Sequence, residues 1–240
     1  MFIAKESKKK REARVREIME RLDAHYGDHP MIFLQAKNAW QLLFATILSA
    51  QCTDARVNMV TEKLFQKYKS LEDFASCDLK ELEEDIHSTG FYHNKAKNIK
   101  ACAAALVEEY GGEVPKDIDS LTALPGVGRK TGNLILGNIF HIPSIVVDTH
   151  VKRISNRLGL ADSSDPTKTE FQLMEVLPEE FWIRWNTHII ALGRTLCTSQ
   201  KPKCELCYLN DLCPSVKGDP ETWRSPAERK KEKTADGKGK

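Results

Sequence analysis

The sequence predicts an all-α fold, and three observations carry that expectation. Apolar residues recur at intervals of three and four along most of the chain, alternating strand patterns are nearly absent, and the links between periodic segments are short. The first stripe is Val15, Ile18, Met19, Leu22 and Tyr26, at offsets 0, 3, 4, 7 and 11. Trp40, Leu43, Phe44, Ile47 and Leu48 form the next, and the positions between them are also largely apolar, so this helix is expected to be central. Val57, Val60, Leu64, Phe65 and Tyr68 give a third stripe, and Leu79, Leu82 and Ile86 a shorter one. Ile99, Ala103, Leu106, Val107 and Tyr110 mark a long helix stopped by Gly111-Gly112. Later helices are expected around Leu134–Ile139, Val151–Leu158, Glu170–Leu177 and Trp185–Leu196. The one β-branched run, Ile145-Val146-Val147, leads into Asp148-Thr149, which reads as a helix N-cap.

With 240 residues, 41% of them hydrophobic, the chain can bury one large core or two small ones, and disorder over most of its length is excluded. The formal charge is only +2, but it is unevenly distributed: residues 1–16 carry +5 and residues 217–240 carry +3, leaving −6 between them. Basic ends on an acidic body suit either loose attraction to a polyanion or simple solubility. The Lys8-Lys9-Lys10-Arg11 run reads as a solvated basic arm in preference to a nuclear address. From Lys217 onward Gly, Pro, Lys and Glu replace apolar residues, which predicts a disordered basic tail over 217–240. No stretch approaches the roughly 18 consecutive apolar residues of a membrane span, and no apolar signal core follows Met1. A cytoplasmic, nucleoid-associated protein without membrane partners is expected.

Three features stand out, the first a hairpin together with the helix cap that follows it. In Leu124-Pro125-Gly126-Val127-Gly128-Arg129-Lys130-Thr131, Pro125 ends one helical turn and two glycines precede an apolar helix. Gly126 and Gly128 let successive N–H groups face one anionic oxygen, with the positive end of the next helix adding attraction. Arg129 follows directly, and Lys130 falls in the first turn of that helix, where its charge meets the positive helix end. That field, with partial burial, would favour the neutral amine of a nucleophile; a phosphate-contacting surface lysine is the other reading. Asp148 opens Asp148-Thr149-His150, and a helix cap is compatible there with a carboxylate that takes a proton or stabilises positive charge.

The second feature is Cys197-x6-Cys204-x2-Cys207-x5-Cys213, four of the seven cysteines in one short loop. Such a cluster in a reducing compartment points to metal in preference to disulfides, and thiolate softness alone leaves zinc and iron–sulfur both open. Cys52, Cys77 and Cys102 are scattered on expected helices and read as core or near-surface residues. The third feature is a pair of junctions, Ser49-Ala50-Gln51-Cys52-Thr53-Asp54 and Ser88-Thr89-Gly90-Phe91-Tyr92-His93-Asn94-Lys95. By themselves they read as a helix end and as core packing at a helix junction.

LPGVGRKTGN at 124–133 followed by VVDTHVKRISNRLGL at 146–160, with the cysteine loop, resembles the endonuclease III family of helix-hairpin-helix, iron–sulfur DNA glycosylases. The resemblance covers roughly residues 15–215. It implies two helical domains flanking a DNA-binding cleft. A six-helix domain at 33–142 would carry the hairpin, and residues 11–32 with 143–216 would form the cluster domain, with residues 1–10 as a basic arm. It implies that Lys130 attacks the sugar C1′ and Asp148 assists from the opposite side of the cleft. The hairpin glycines and Arg129 would hold a phosphate, and His150 would lie on the DNA. Cys197, Cys204, Cys207 and Cys213 would ligate a [4Fe-4S] cluster, with Lys201 and Lys203 facing phosphates. In the S-A-Q-x-T-D segment Gln51 would fill the space left by an extruded nucleotide, with Asp54 supporting the backbone. Phe91 would intercalate opposite the lesion, where several relatives use leucine.

The implied function is a monomeric, bifunctional glycosylase/AP lyase of base excision repair. Its partner would be double-stranded DNA bearing oxidised or ring-saturated pyrimidines or abasic sites, cut 3′ to the site by β-elimination through a Schiff base. The rival reading within the class is a relative acting on another lesion, such as a pyrimidine dimer or a mismatched thymine, and a non-catalytic, redox-sensing iron–sulfur protein is the reading from another class. Lys130 argues against the adenine-specific mismatch glycosylases, which lack lysine there and carry a further C-terminal domain.

Overall fold

The computed structural model describes residues 6–27 and 33–216; the expected tail at 217–240 and the start of the basic arm lie outside them. The described residues hold eleven α-helices and no strand. The chain divides into two compact units, one spanning Ile32–Ile142 and the other joining Met1–Met31 to Pro143–Lys240.

The first unit is built on α2 (Ala39–Leu48), in which every residue from Gln41 to Leu48 is buried. Its all-round apolar surface leaves no face for solvent, so neighbours cover it on every side. Around it stand α3 (Asp54–Lys67), α4 (Leu71–Ser76), α5 (Leu79–Ile86), α6 (Tyr92–Tyr110), α7 (Ile118–Ala123) and α8 (Arg129–Phe140). That makes seven α-helices where six were expected. The addition is α4, whose six residues are too few to show a stripe. A reciprocal capping box between Ser70 and Asp73 starts it, and Phe74 anchors it edge-on to Phe44, ring centroids 5.0 Å apart. As expected, α6 stops where Gly111 turns left-handed, at φ 61°.

The second unit contains α1 (Lys8–Tyr26), α9 (Thr149–Arg157), α10 (Pro166–Val176) and α11 (Trp182–Thr195). Val15, Ile18, Met19 and Leu22 are its fully buried contribution from α1, with Trp185 and Ile189 from α11. Polar ties join α1 to the C-terminal segment of this unit. Arg14 donates to the carbonyls of Leu158 at 2.8 Å and Leu212 at 3.4 Å, and Arg21 pairs with Asp211 at 2.6 Å. In the basic run Lys8-Lys9-Lys10-Arg11 the three lysines are exposed, and the run is helical. It forms the first turn of α1, which Ser7 caps by accepting from the Lys10 N–H. Ile145, Val146 and Val147 are buried outside any helix and lead into Asp148 and α9.

Candidate active site and cysteine loop

Most helices of this chain start on a side-chain cap, and α8 does not. Ser7, Asn38, Thr53, Ser70, Asp78, Asp117, Asp148 and Asp165 cap α1, α2, α3, α4, α5, α7, α9 and α10. The cap residue of α8 is Gly128, which has no side chain to offer. The two hairpin glycines are present for different reasons. Gly126 has φ 77°, and a Cβ there would stand 2.8 Å from the Cβ of Asn98, so the chain itself demands glycine. Gly128 has an ordinary φ of −93° and nothing within 4 Å of where its Cβ would be. Among the described residues nothing requires glycine at 128. What its absent side chain leaves open is the approach to the N–H groups of α8, the arrangement an anion needs.

Lys130 is the second residue of α8 and is exposed; the partial burial expected of it is not supplied by the chain. Arg129 beside it is half-buried. Asp148, in the other unit, is the N-cap of α9: its Oδ1 accepts from the Val151 N–H at 2.7 Å. His150 lies in the first turn of that helix, half-buried, with its Nδ1 3.2 Å from Arg153 Nη2. Gly193 on α11 makes room for it, because a Cβ there would collide with His150 Nδ1. Burial lowers the His150 pKa, Asp148 opposes that shift, and Arg153 and Arg194 add to it. His150 therefore offers a neutral ring at pH 7, not a cation.

Gln51 and Phe91 share a property that no spacing announces. Among the described residues only Gln51, Phe91 and His141 have positive φ without being glycine, at 54°, 50° and 53°. Left-handed backbone is rare for such side chains and collects where the surrounding structure over-determines it. Phe91 is 63% exposed, so core packing is not its role. Gln51 is exposed as well, in the turn between α2 and α3. The cap of α3 is Thr53, with Asp54 following in its first turn.

The four loop cysteines line one cavity with Ile154, Leu158, Leu192, Leu196 and Leu209. Among the described residues no three His, Cys, Asp or Glu side chains converge on the position of a single ion. Four thiols around one cavity are a donor set that a [4Fe-4S] cluster would take. Burial pushes the thiols of Cys204, Cys207 and Cys213 up, Cys213 to about 11, so a cationic metal group is what would hold them as thiolates. Arg157, only 7% exposed, donates to Cys197 Sγ at 3.3 Å and to the carbonyls of Thr198 at 2.7 Å and Ser199 at 2.8 Å. Arg153 adds a bond to the Cys197 carbonyl at 2.9 Å. Lys201 and Lys203 are exposed on the same loop. Sequence reading missed Arg157, Arg153 and the buried Lys95; for Lys95 a signal existed, since it falls four residues before Ile99 on the apolar stripe of α6.

Comparison with known proteins gives the family. The HhH-GPD superfamily base excision DNA repair protein family matches residues 44–179, and the iron-sulfur binding domain of endonuclease III matches 197–213. Endonuclease III of Synechocystis sp. is 52% identical over 177 residues, 73% of this chain and 81% of that protein. Endonuclease III of Bacillus subtilis is 48% identical over 186 residues, 77% and 85% of the two chains. A solved structure of a trapped endonuclease III–DNA covalent intermediate superimposes with a TM-score of 0.79 at 43% identity, covering 86% of this chain and 97% of that one. By these matches the chain belongs to the endonuclease III family, the iron–sulfur DNA glycosylase/AP lyases of base excision repair.

Proposed function

We propose that this enzyme removes oxidised or ring-saturated pyrimidines from duplex DNA, working as a monomer in the cytoplasm on nucleoid DNA, with Lys130 as nucleophile and Asp148 as its assistant. The enzyme is a bifunctional glycosylase/AP lyase carrying a [4Fe-4S] cluster. Among its described residues no helix is long and apolar enough to cross a membrane. The observation that carries the residue assignment is the N-terminus of α8: Gly128 brings no side chain to cap that helix or to obstruct a backbone phosphate, and Lys130 lies in the same turn.

A phosphate seated on the α8 amides puts its sugar within reach of the Lys130 side chain. A lysine acts as a nucleophile through its neutral amine. The neutral Nζ attacks C1′; the C1′–N bond to the enzyme forms as the N-glycosidic bond breaks, and the base leaves with that bond's electron pair and is protonated by water. Asp148 accepts the proton released from the attacking amine and offsets positive charge on the sugar. Ring opening gives the Schiff base on Lys130, and loss of the C2′ proton expels the 3′ phosphate. Access to C1′ needs the nucleotide extruded; Gln51 fills the vacated space and Phe91 enters the stack opposite. Gly126, Gly128, Arg129, Lys201 and Lys203 hold the backbone, and His150 adds an uncharged contact. Cys197, Cys204, Cys207 and Cys213 hold the cluster, whose ligation orders a loop too short for a core of its own.

Borohydride trapping at an abasic site tests the assignment. Wild type is expected to give a covalent protein–DNA adduct that Lys130→Ala loses and Lys168→Ala, an exposed control, retains. Failure of the wild type to trap would remove the nucleophile assignment. Equal excision of thymine from a mismatch or of a pyrimidine dimer would remove the lesion assignment.

A further inference from the structure

Lys95 is 4% exposed in the first turns of α6, and its Nζ donates to two carbonyls, Leu48 at 2.8 Å and Thr89 at 2.8 Å. Leu48 is the last residue of α2, and Thr89 closes the 3-10 turn His87–Thr89. Both acceptors are therefore orphan carbonyls at helix C-termini, the negative ends that favour a cation. Three residues after Leu48 comes Gln51, and two after Thr89 comes Phe91. The intervening turns are closed by backbone bonds, from the Ala50 N–H to the Ile47 carbonyl, the Cys52 N–H to the Ser49 carbonyl and the Gly90 N–H to the His87 carbonyl. The Lys95 N–H itself donates to the Phe91 carbonyl at 3.1 Å. One buried residue thus touches both strained turns.

We infer that Lys95 is a positioning residue for nucleotide extrusion: its ammonium ties the turn presenting Gln51 to the turn presenting Phe91 and fixes the separation of the two side chains that enter the duplex. The inference rests on the reading that Gln51 and Phe91 are that pair. A methionine would fill the volume of the lysine stem without the desolvation that burial of the ammonium imposes, and burial does push the Lys95 pKa down. What methionine lacks is the pair of directed bonds. One turn further along α6, Asn98 lies against Gly126, so the same helix seats the phosphate hairpin beside the two turns.

The test is Lys95→Met in the full-length holoprotein, with cluster absorption and thermal melting as controls for folding. Three rates are read: unstacking of a duplex that carries 2-aminopurine beside the lesion, base excision from a lesion duplex, and borohydride trapping at an abasic site in single-stranded DNA. A single strand has no stacked pair to open. Lys95→Met is expected to slow the two duplex rates on the order of 10- to 100-fold and the single-strand trapping by no more than about twofold. In a Phe91→Ala background, the loss on adding Lys95→Met should shrink to about twofold, because both changes act through one turn. Equal losses on duplex and single strand, or no loss on either, overturn the inference. If Lys95→Met does not accumulate folded, Lys95→Arg is read the same way, since its wider head group displaces the same two carbonyls. If Gln51→Ala and Phe91→Ala leave unstacking at the wild-type rate, it is the assignment of that pair that fails, whatever Lys95→Met does.

Discussion

The guanidinium of Arg157 bonds the sulfur of Cys197 at 3.3 Å from inside the protein, and the same group holds the carbonyls of Thr198 and Ser199. Arg157 ends α9, the helix that Asp148 begins, so one helix runs from the proposed catalytic carboxylate to the cysteine loop. Arg157→Met strips three acceptors of a buried charged donor, a loss of about 2–4 kcal/mol. The expected result is a lowered melting temperature and faster loss of iron–sulfur absorbance in the presence of a chelator. A variant that keeps its iron as long as wild type would show that the arginine does not secure the loop.

The two hairpin glycines should separate stability from DNA binding. Gly126→Ala forces a Cβ into positive φ and against Asn98, so it should cost about 1–2 kcal/mol in folding. Gly128→Ala meets no atom of the described residues and should cost at most about 1 kcal/mol as a poorer helix cap. Its methyl group stands where the phosphate approaches, and losing one charge-assisted bond there weakens DNA binding by roughly 10- to 100-fold. Unfolding curves and DNA titration at fixed salt check both. Unchanged affinity in Gly128→Ala would mean that the phosphate does not sit on α8.

Legibility in the sequence followed the range of the interactions. Val15, Ile18, Met19 and Leu22 lie on one face of one helix, and that local periodicity is enough to mark them as core. The Asp148 cap was equally legible, because the side chain bonds an amide only three residues on. α4 was not, because its Phe74 is held by Phe44, thirty residues earlier in the sequence. The left-handed backbones of Gln51 and Phe91 were hidden for the same reason: φ at those positions is set by packing between helices, and neither residue type prefers it. The motif around each named the residue without revealing its conformation. Lys130 was legible in position but not in exposure, which depends on how the neighbouring helices leave the α8 N-terminus uncovered.

His188 gives a pH dependence with a definite sign. It is fully buried on α11, with its Nε2 2.8 Å from Asp23 Oδ1, and Asp23 is shared with Arg184 at 3.2 Å. Burial lowers its pKa more than Asp23 raises it, with Arg184 adding to the lowering. The folded state therefore takes up the proton at lower pH than the unfolded chain does. The contribution to stability is full above the unfolded value of about 6.5 and is lost as pH falls below it. Melting temperature should decline as the buffer is acidified from neutrality, and His188→Gln should show a shallower decline. A variant with the same slope as wild type would assign the acid sensitivity to other groups.

Asp148 holds two roles that one substitution can separate. Its Oδ1 caps α9 through the Val151 N–H, and asparagine caps as well as aspartate does. Asp148→Asn should therefore leave stability within about 0.5 kcal/mol of wild type, whereas Asp148→Ala should cost about 1 kcal/mol. An amide neither accepts the proton of the attacking amine nor offsets charge on the sugar. Base excision should then fall by about 10²- to 10⁴-fold in both variants, far more than either loss of stability explains. Asp148→Asn is the informative case, since its fold and its loop position are retained. Wild-type excision by Asp148→Asn would leave the carboxylate as a helix cap alone and would move the proton acceptor to another residue.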